Sequence, residues 1–245
     1  MEESYPSSNN YAVQVQKLSK SFGNRFALKG IDVKINQGES VVIFGHNGAG
    51  KSTLLKIIAT IINPTSGSIQ INGLNIKDNA EEIRRRIGVV GHNTFLYSNL
   101  TVYENLEFYC RMYDVPERHE RIREIVATVG MTYRIYDRVG TLSRGMQQRL
   151  AIARSLIHRP SIMLLDEPET GLDYQATSTL WETVRAGEGE KRTILLTSHS
   201  LERGLELGDH FLILNQGKVV YEKSGKTANL TDLKQAYENS ARTKL

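Results

Sequence analysis

The sequence predicts an α/β fold: a core of strands alternating with helices, interrupted by a helical insertion. Three observations carry this prediction. Apolar runs of strand length recur between segments with helical spacing. One of those runs leads through a glycine-rich loop straight into a helix. The stretch from about Val102 to Leu142 is helical in pattern. At 245 residues the chain is long for one average domain and short for two, which suits one domain with an insertion.

In chain order, Met1 to Asn10 is polar and acidic and reads as a flexible tail, not as a signal or transit peptide. Val13 to Val15 alternates with polar neighbours as a strand does, and Phe26 to Ile35 is a second strand. After the Gln37-Gly38 turn, Ser40 to Phe44 is a buried strand, followed by the glycine-rich loop and a helix over Lys51 to Ile61. Pro64-Thr65-Ser66-Gly67 ends that region, and Ser68 to Gly73 reads as strand and turn. Val102, Leu106, Tyr109 and Met112 share one helical face in a pattern that runs to about Gly130, with Pro116 breaking it and opening the next helix. Ser143 caps a helix over Met146 to His158, and Ile162 to Leu165 is an apolar strand ending in Asp166-Glu167. A helix near Tyr174 to Arg185 precedes the strand Thr193 to Thr197, and Leu201 to Leu207 is a short helix. Phe211 to Leu214 and Lys218 to Tyr221 form a hairpin about Asn215-Gln216-Gly217, and Thr231 to Ala241 is a closing helix.

Composition excludes several classes. Lys and Arg number 31 against 27 Asp and Glu, a net +4 that permits an anionic partner without demanding one. The single cysteine, Cys110, rules out an internal disulfide and a cysteine-based metal cluster, and reads as a packed core residue. The apolar run Ile57 to Ile62 falls far short of the ~20 residues that span a bilayer, so work at a membrane would need spans supplied by another chain. Arg84-Arg85-Arg86 reads as a solvated helix face.

Three motifs carry chemistry. Gly45-His46-Asn47-Gly48-Ala49-Gly50-Lys51-Ser52, with Thr53 following, matches the phosphate-binding P-loop in the strand-to-helix setting that motif needs. Its glycines let backbone N–H groups turn inward around phosphate oxygens, Lys51 would reach the β- and γ-phosphates, and Ser52 would offer a hydroxyl to Mg²⁺. Asp166, at the end of an apolar strand, would join the Mg²⁺ shell, and Glu167 would polarise a water for attack on the γ-phosphate. Leu142-Ser143-Arg144-Gly145-Met146-Gln147-Gln148-Arg149 opens a second helix N-terminus fit for an anion. One nucleotide does not need two such ends from one chain, so this end would complete a site on a second copy; the competing reading is an ordinary capped helix.

With these motifs in this order, the chain from about Tyr11 to Glu222 resembles the ATP-binding cassette (ABC) ATPases. The resemblance implies a P-loop ATPase with a RecA-like core, an antiparallel β subdomain and a helical subdomain inserted at about 93–142. Residues 1–10 would form the tail, 11–222 the ATPase domain and 223–245 a C-terminal helical tail. It also implies ATP and Mg²⁺ as ligands, Ser52 and Asp166 as metal ligands, and Lys51, Glu167 and His199 as the catalytic groups. Phe22 occupies the place of the aromatic that stacks on adenine, against a competing reading as core. Thr170-Gly171-Leu172-Asp173 looks like the D-loop, with Asp173 acting across a dimer interface or simply on a surface loop. His199 in Leu196-Thr197-Ser198-His199 looks like the switch histidine that contacts the γ-phosphate, or else is a structural histidine.

Two departures stand out. The family's signature usually reads Leu-Ser-Gly-Gly-Gln, whereas here Arg144 and Met146 replace the first glycine and the glutamine. Where the family usually has glutamine after Ile87-Gly88-Val89-Val90, this chain has Gly91-His92-Asn93. Imidazole nitrogen suits Mg²⁺ less than a carbonyl oxygen, so His92 is expected to hold a water or sense the γ-phosphate, with Asn93 as the nearby oxygen donor. This loop, with the signature segment, also resembles the ATPase subunits of heme exporters in cytochrome c maturation.

The expectation is thus an ATP-hydrolysing transporter subunit, peripheral on the cytoplasmic face of the membrane. It would pair with an integral membrane subunit and close head-to-tail with a second ATPase subunit, with no nucleic-acid partner. The rivals are a nucleic-acid-binding ABC protein acting on ribosomes or DNA, and a regulatory cassette that binds ATP without hydrolysis.

Overall fold

The protein is described by a computed structural model over residues 11–91, 93–168, 181–185, 191–225 and 228–242. Among these residues, two sheets organise the chain. β1 (Tyr11–Phe22) and β2 (Arg25–Asn36) form a long antiparallel hairpin; β4 (Ser66–Ile71) pairs with β1, and β5 (Leu74–Asn75) with β4. Val13, Val15, Leu18, Ile31, Val33 and Ile35 are buried between polar neighbours, the alternation of a sheet with one dry face.

The second sheet runs β10-β9-β3-β8-β7-β6. β3 (Ser40–Phe44), β6 (Ile87–Val90), β7 (Ile162–Asp166), β8 (Thr193–Thr197) and β9 (His210–Asn215) are parallel neighbours, and β10 (Lys218–Ser224) adds an antiparallel edge. Every residue of β3 and β8 is buried, so these strands read as apolar runs without alternation, as a sheet covered on both faces requires. The two faces of β3 belong to different cores. Val41 and Ile43 pack with helix α1 (Lys51–Ile58) and the antiparallel sheet, and Val42 and Phe44 pack with the remaining helices.

Those helices are α3 (Val102–Met112), α4 (Arg118–Thr128), α5 (Arg144–Leu156), α6 (Leu201–Leu207) and α7 (Leu230–Arg242), whereas α2 (Ala80–Arg86) buries Ile83 in the core of Val41 and Ile43. Cys110 is buried on α3, and burial pushes its thiol pKa up to about 11, which leaves it a packing group.

Several boundaries differ from those read off the sequence. The first helix ends at Ile58 instead of Ile61, because Thr60 adopts a left-handed conformation and the Ile61 amide turns back to the Lys56 carbonyl. The break expected at Pro116 is present: α3 ends at Met112 and α4 starts at Arg118, with Asp114 and Glu117 left-handed between them. The signature helix starts at Arg144, two residues early, since the Ser143 hydroxyl accepts from the Met146 amide. β1 extends well past Val15, to Phe22. Residues 181–185 are helical, and Tyr174 to Leu180 lie outside the described residues. The basic run sits on exposed α2, where Arg85 pairs with Asp114.

Parallel register places the C-terminal ends of β6, β7, β8 and β3 side by side: Val90 faces Leu165, Asp166 faces Thr197, and Thr197 faces Ile43. The loops leaving these ends therefore converge, which is where an open α/β sheet builds its site.

At the opposite end of the sheet, His210 is buried between two carboxylates. Its Nε2 lies 3.0 Å from Glu222 Oε1. Its Nδ1 lies 3.3 Å from Glu39 Oε1 outside hydrogen-bonding geometry, so that attraction is ionic. Burial works against charging the ring, but Glu39 and Glu222 outweigh it and raise the pKa above the ordinary histidine value. A raised folded-state pKa stabilises fully below the unfolded-state value of ~6.5 and is lost as pH climbs through the folded value. His210→Gln is therefore expected to lower Tm at pH 6, with the gap to wild type narrowing by about 2–4 °C per kcal/mol of lost pairing at pH 9. Thermal denaturation at the two pH values checks this, and a gap independent of pH would show the histidine to be uncharged.

Candidate functional site

The loop between β3 and α1 owes its shape to glycine. Gly45, Gly48 and Gly50 have φ of 147°, 80° and 110°, a region that L side chains rarely enter. A Cβ on Gly45 would lie 2.4 Å from the Leu214 carbonyl oxygen, and one on Gly50 would lie 2.6 Å from that of Ala27. The loop is thus seated against the end of β9 and against β2. The β9–β10 turn locks it there, since the Gly217 amide donates to the Ala49 carbonyl and the Lys29 amide donates to that of Gly217.

Lys51 is buried, and its ammonium spans the loop, donating to the carbonyls of Gly45 at 2.6 Å and His46 at 3.3 Å. Burial lowers its pKa, while the charges of Glu167 and Asp166 pull it back up. Both acids lie at the end of β7. Asp166 Oδ1 accepts from the Ser52 hydroxyl at 3.1 Å and the Thr197 hydroxyl at 2.8 Å. The Thr197 hydroxyl in turn accepts from the Glu167 amide at 3.0 Å. Glu167 itself is left-handed, with φ of 52°, and its carboxylate pairs with His199 Nε2. One hydroxyl from β8 thus fixes both acids of β7, turning their side chains to different partners.

A cleft of about 1080 Å³ opens beside the loop, lined by Phe22, Phe26, Asn47 to Thr53 and Glu167. Phe22 is 56% exposed on this cleft, so the core reading of that residue fails, and the Lys20 ammonium lies 5.0 Å from its ring centre. Gly91 and Asn93 line a smaller cavity of about 150 Å³ together with Ser52 and Asp166. Asn93 therefore sits on the acid-and-hydroxyl side of the loop. His92 and Asp173 lie outside the described residues.

At the head of α5, Ser143 and Arg144 are exposed and Gly145 is half-buried with open space at its Cβ position. Gln147 does not reach outward: its amide donates to the carbonyls of Val139 and Leu142. Leu142 is largely buried, and Met146 packs partly against the core. None of Leu142 to Gln147 is among the described residues lining the cleft beside Lys51; Arg144 and Gln147 instead line a separate 510 Å³ cleft with Asn93 and Glu167.

Chemically, the loop offers the Lys51 ammonium to phosphate, and Ser52 with Asp166 places a hydroxyl and a carboxylate where a hard divalent cation would fit. Glu167, held by His199, can take a proton.

Sequence reasoning missed Thr197, whose role is visible only through the register of β7 with β8, and Phe26, which alternation assigned to a strand and nothing more. It also missed Arg154 on α5. Its guanidinium donates to the Val89 carbonyl at 2.6 Å and lies 5.5 Å and 5.3 Å from the ring centres of Phe95 and Tyr109.

Comparison with known proteins agrees with this geometry. A family model described as ABC transporter matches residues 28–170. Over 199 residues the chain is 40% identical to the ABC transporter ATP-binding protein NatA of Bacillus subtilis (strain 168), covering 80% of each. It is 34% identical over 210 residues to the linearmycin resistance ATP-binding protein LnrL of the same organism, covering 85% of this chain and 68% of that one. A solved dimeric ATP-binding cassette in a post-hydrolysis state, bound to ADP and Pi, superposes with a TM-score of 0.79 at 29% identity, covering 89% of this chain and all of that one, 100%.

Gly45→Ala places a methyl against a backbone carbonyl that cannot swing away. Binding of a fluorescent ATP analogue is expected to weaken at least ~30-fold, the effect of about 2 kcal/mol of loop strain. Titration of the analogue into the purified variant measures it.

Proposed function

Since this chain belongs to the ABC transporter family and is an ATP-binding, ATP-hydrolysing subunit of it, we propose that it drives export of a drug or antibiotic-like compound through a separate membrane protein. The observation that carries the catalytic part is the pairing of Glu167 with His199 beside the Lys51 loop, with both acids fixed by Thr197.

In this reading the amides of residues 45–53 and the Lys51 ammonium bind the β- and γ-phosphates, and Phe22 offers its exposed ring to the adenine. Ser52 and Asp166 would hold Mg²⁺, with Asn93 as a further oxygen nearby; the ion would neutralise developing phosphate charge. Glu167 orients water and accepts its proton, and His199 keeps that carboxylate aimed and adds positive character at the γ-phosphate. His92 would hold a water or sense that phosphate, and Asp173 would act across a dimer interface.

The head of α5, absent from the lining of the Lys51 cleft, supports completion of each site by Ser143 and Gly145 of a second copy in a head-to-tail dimer. The solved relative is itself dimeric. The membrane partner is supported by the exposed aromatics that follow Gly91-His92-Asn93 and line α3: Phe95, Tyr97 and Phe108, with Met112. No helix among the described residues is long and apolar enough to cross a membrane, so the proposed place is peripheral, on the cytoplasmic face. The cassette would span 11–222, with 93–142 as its helical insertion and 223–245 as its C-terminal tail.

The drug-export reading is supported by the resistance role in the name of the 34%-identical relative. The relatives reported above carry no heme-export function in their names, and heme export is not retained. The nucleic-acid rival loses ground because α3 and α4 have only 11 residues each, too short for a coiled-coil insertion.

Glu167→Gln is expected to keep ATP binding within about threefold and to lower turnover by ~10²–10⁴. It should also accumulate an ATP-bound dimer on gel filtration. Undiminished phosphate release from a pure preparation would remove Glu167 from this role.

A further inference from the structure

We propose that Tyr237 and His46 form a positioning pair through which the C-terminal helix α7 holds the phosphate-binding loop and so sets its affinity for ATP. The inference rests on the reading of that loop as the ATP site.

The two residues are 191 positions apart, and the Tyr237 hydroxyl lies 3.3 Å from His46 Nδ1. Their rings sit 4.6 Å apart between centroids, tilted by 44°. The other ring nitrogen of His46, Nε2, is buried without a hydrogen-bond partner among the described residues, so the contact to Tyr237 is the polar anchor of the imidazole. Burial raises the pKa of the Tyr237 phenol, which keeps it neutral.

His46 is not a bystander in the loop. Its carbonyl accepts from Lys51 Nζ at 3.3 Å and from the Ala49 amide at 3.1 Å. Turning the His46 peptide would disturb the ammonium and the first tight turn together.

The other end of the pair is firmly placed. Leu233, Ala236, Tyr237 and Ser240 follow helical i, i+3, i+4, i+7 spacing, the inner face of α7, and Leu233 is fully buried. The Asn215 amide donates to the Ser240 carbonyl at 2.7 Å. Lys223 pairs with Asp232 and Lys234 with Glu202. Asn215 directly follows Leu214, whose carbonyl crowds Gly45. The loop and α7 therefore rest on the same end of β9, and Tyr237 bridges them.

Tyr237→Phe deletes only the hydroxyl and keeps the ring. On the full chain, Kd for a fluorescent ATP analogue and KM for ATP should each rise about fivefold, the size of one neutral hydrogen bond. The kcat should stay within twofold and Tm within about 2 °C, because the packing of α7 is untouched. In the His46→Ala background the same change should have no further effect on Kd, as coupling through one contact requires.

Unchanged Kd and KM in Tyr237→Phe would overturn the inference. So would an equal added loss in the His46→Ala background, or a fall in Tm and kcat with Kd unmoved, the signature of a merely structural tyrosine. Wild-type protein and a Lys51→Ala control separate the two readings. If wild type binds no ATP, or Lys51→Ala binds it equally well, the site assignment fails; if that contrast holds and Tyr237→Phe behaves as wild type, only the positioning pair fails.

Discussion

The structure turns on one buried charge. Lys51 sits in a loop whose walls are backbone, and an ammonium withdrawn from water must find donors' partners at once. It finds two loop carbonyls and, behind them, the field of Asp166 and Glu167. Each supply constrains the fold. The carbonyls that Lys51 meets belong to a loop bent by glycines at positive φ, and acids at the right place require β7 to end level with β3 and β8. The parallel sheet is what holds these ends together; an antiparallel arrangement would send alternate ends to opposite sides.

Much of the fold was legible because its signals are local. Complete burial of β3 and β8, and of β7 up to Leu165, prints apolar runs on the sequence, and Ser143 announces α5 by chemistry that acts within three residues. The expected strands at Ser40–Phe44 and Thr193–Thr197 and the helix at Leu201–Leu207 match in full. The errors fall where backbone geometry overrides pattern. Thr60 carries no turn signature as strong as glycine, yet it stands left-handed just past the end of a helix. β5 has two residues and leaves no period to read.

The same division applies to the site. A glycine-rich loop opening a helix is contiguous in sequence, so Lys51 and Ser52 were legible from spacing, and Asp166 and Glu167 from an apolar strand ending in acids. Pairings across the sheet were not. Thr197 binds Asp166 from 31 residues away through strand register, and Tyr237 reaches His46 from the far end of the chain. A motif records which residues meet the ligand; it is silent about which residues hold those in place, because many sequences can supply a hydroxyl or a ring at a given point in space.

Arg154 shows how the site is joined to the rest. Burial lowers its pKa, and the hydroxyl of Tyr109 offsets part of that. Its guanidinium binds the Val89 carbonyl at the end of β6 and lies beside Phe95 and Tyr109, while the Tyr109 hydroxyl donates to the Phe95 carbonyl at 2.6 Å. One cation thus fastens α5, the strand leading to Gly91, the loop after Asn93 and helix α3. These contacts are discrete: a planar guanidinium cannot keep its bond to β6 and both rings if one of them slides by an ångström or two. A displacement of the β6 end, next to Ser52 and Asp166, would therefore move α3 with it. Exposed Phe95 and Tyr97 in the loop before α3, with Phe108 and Met112 on it, are the surface a membrane partner would feel.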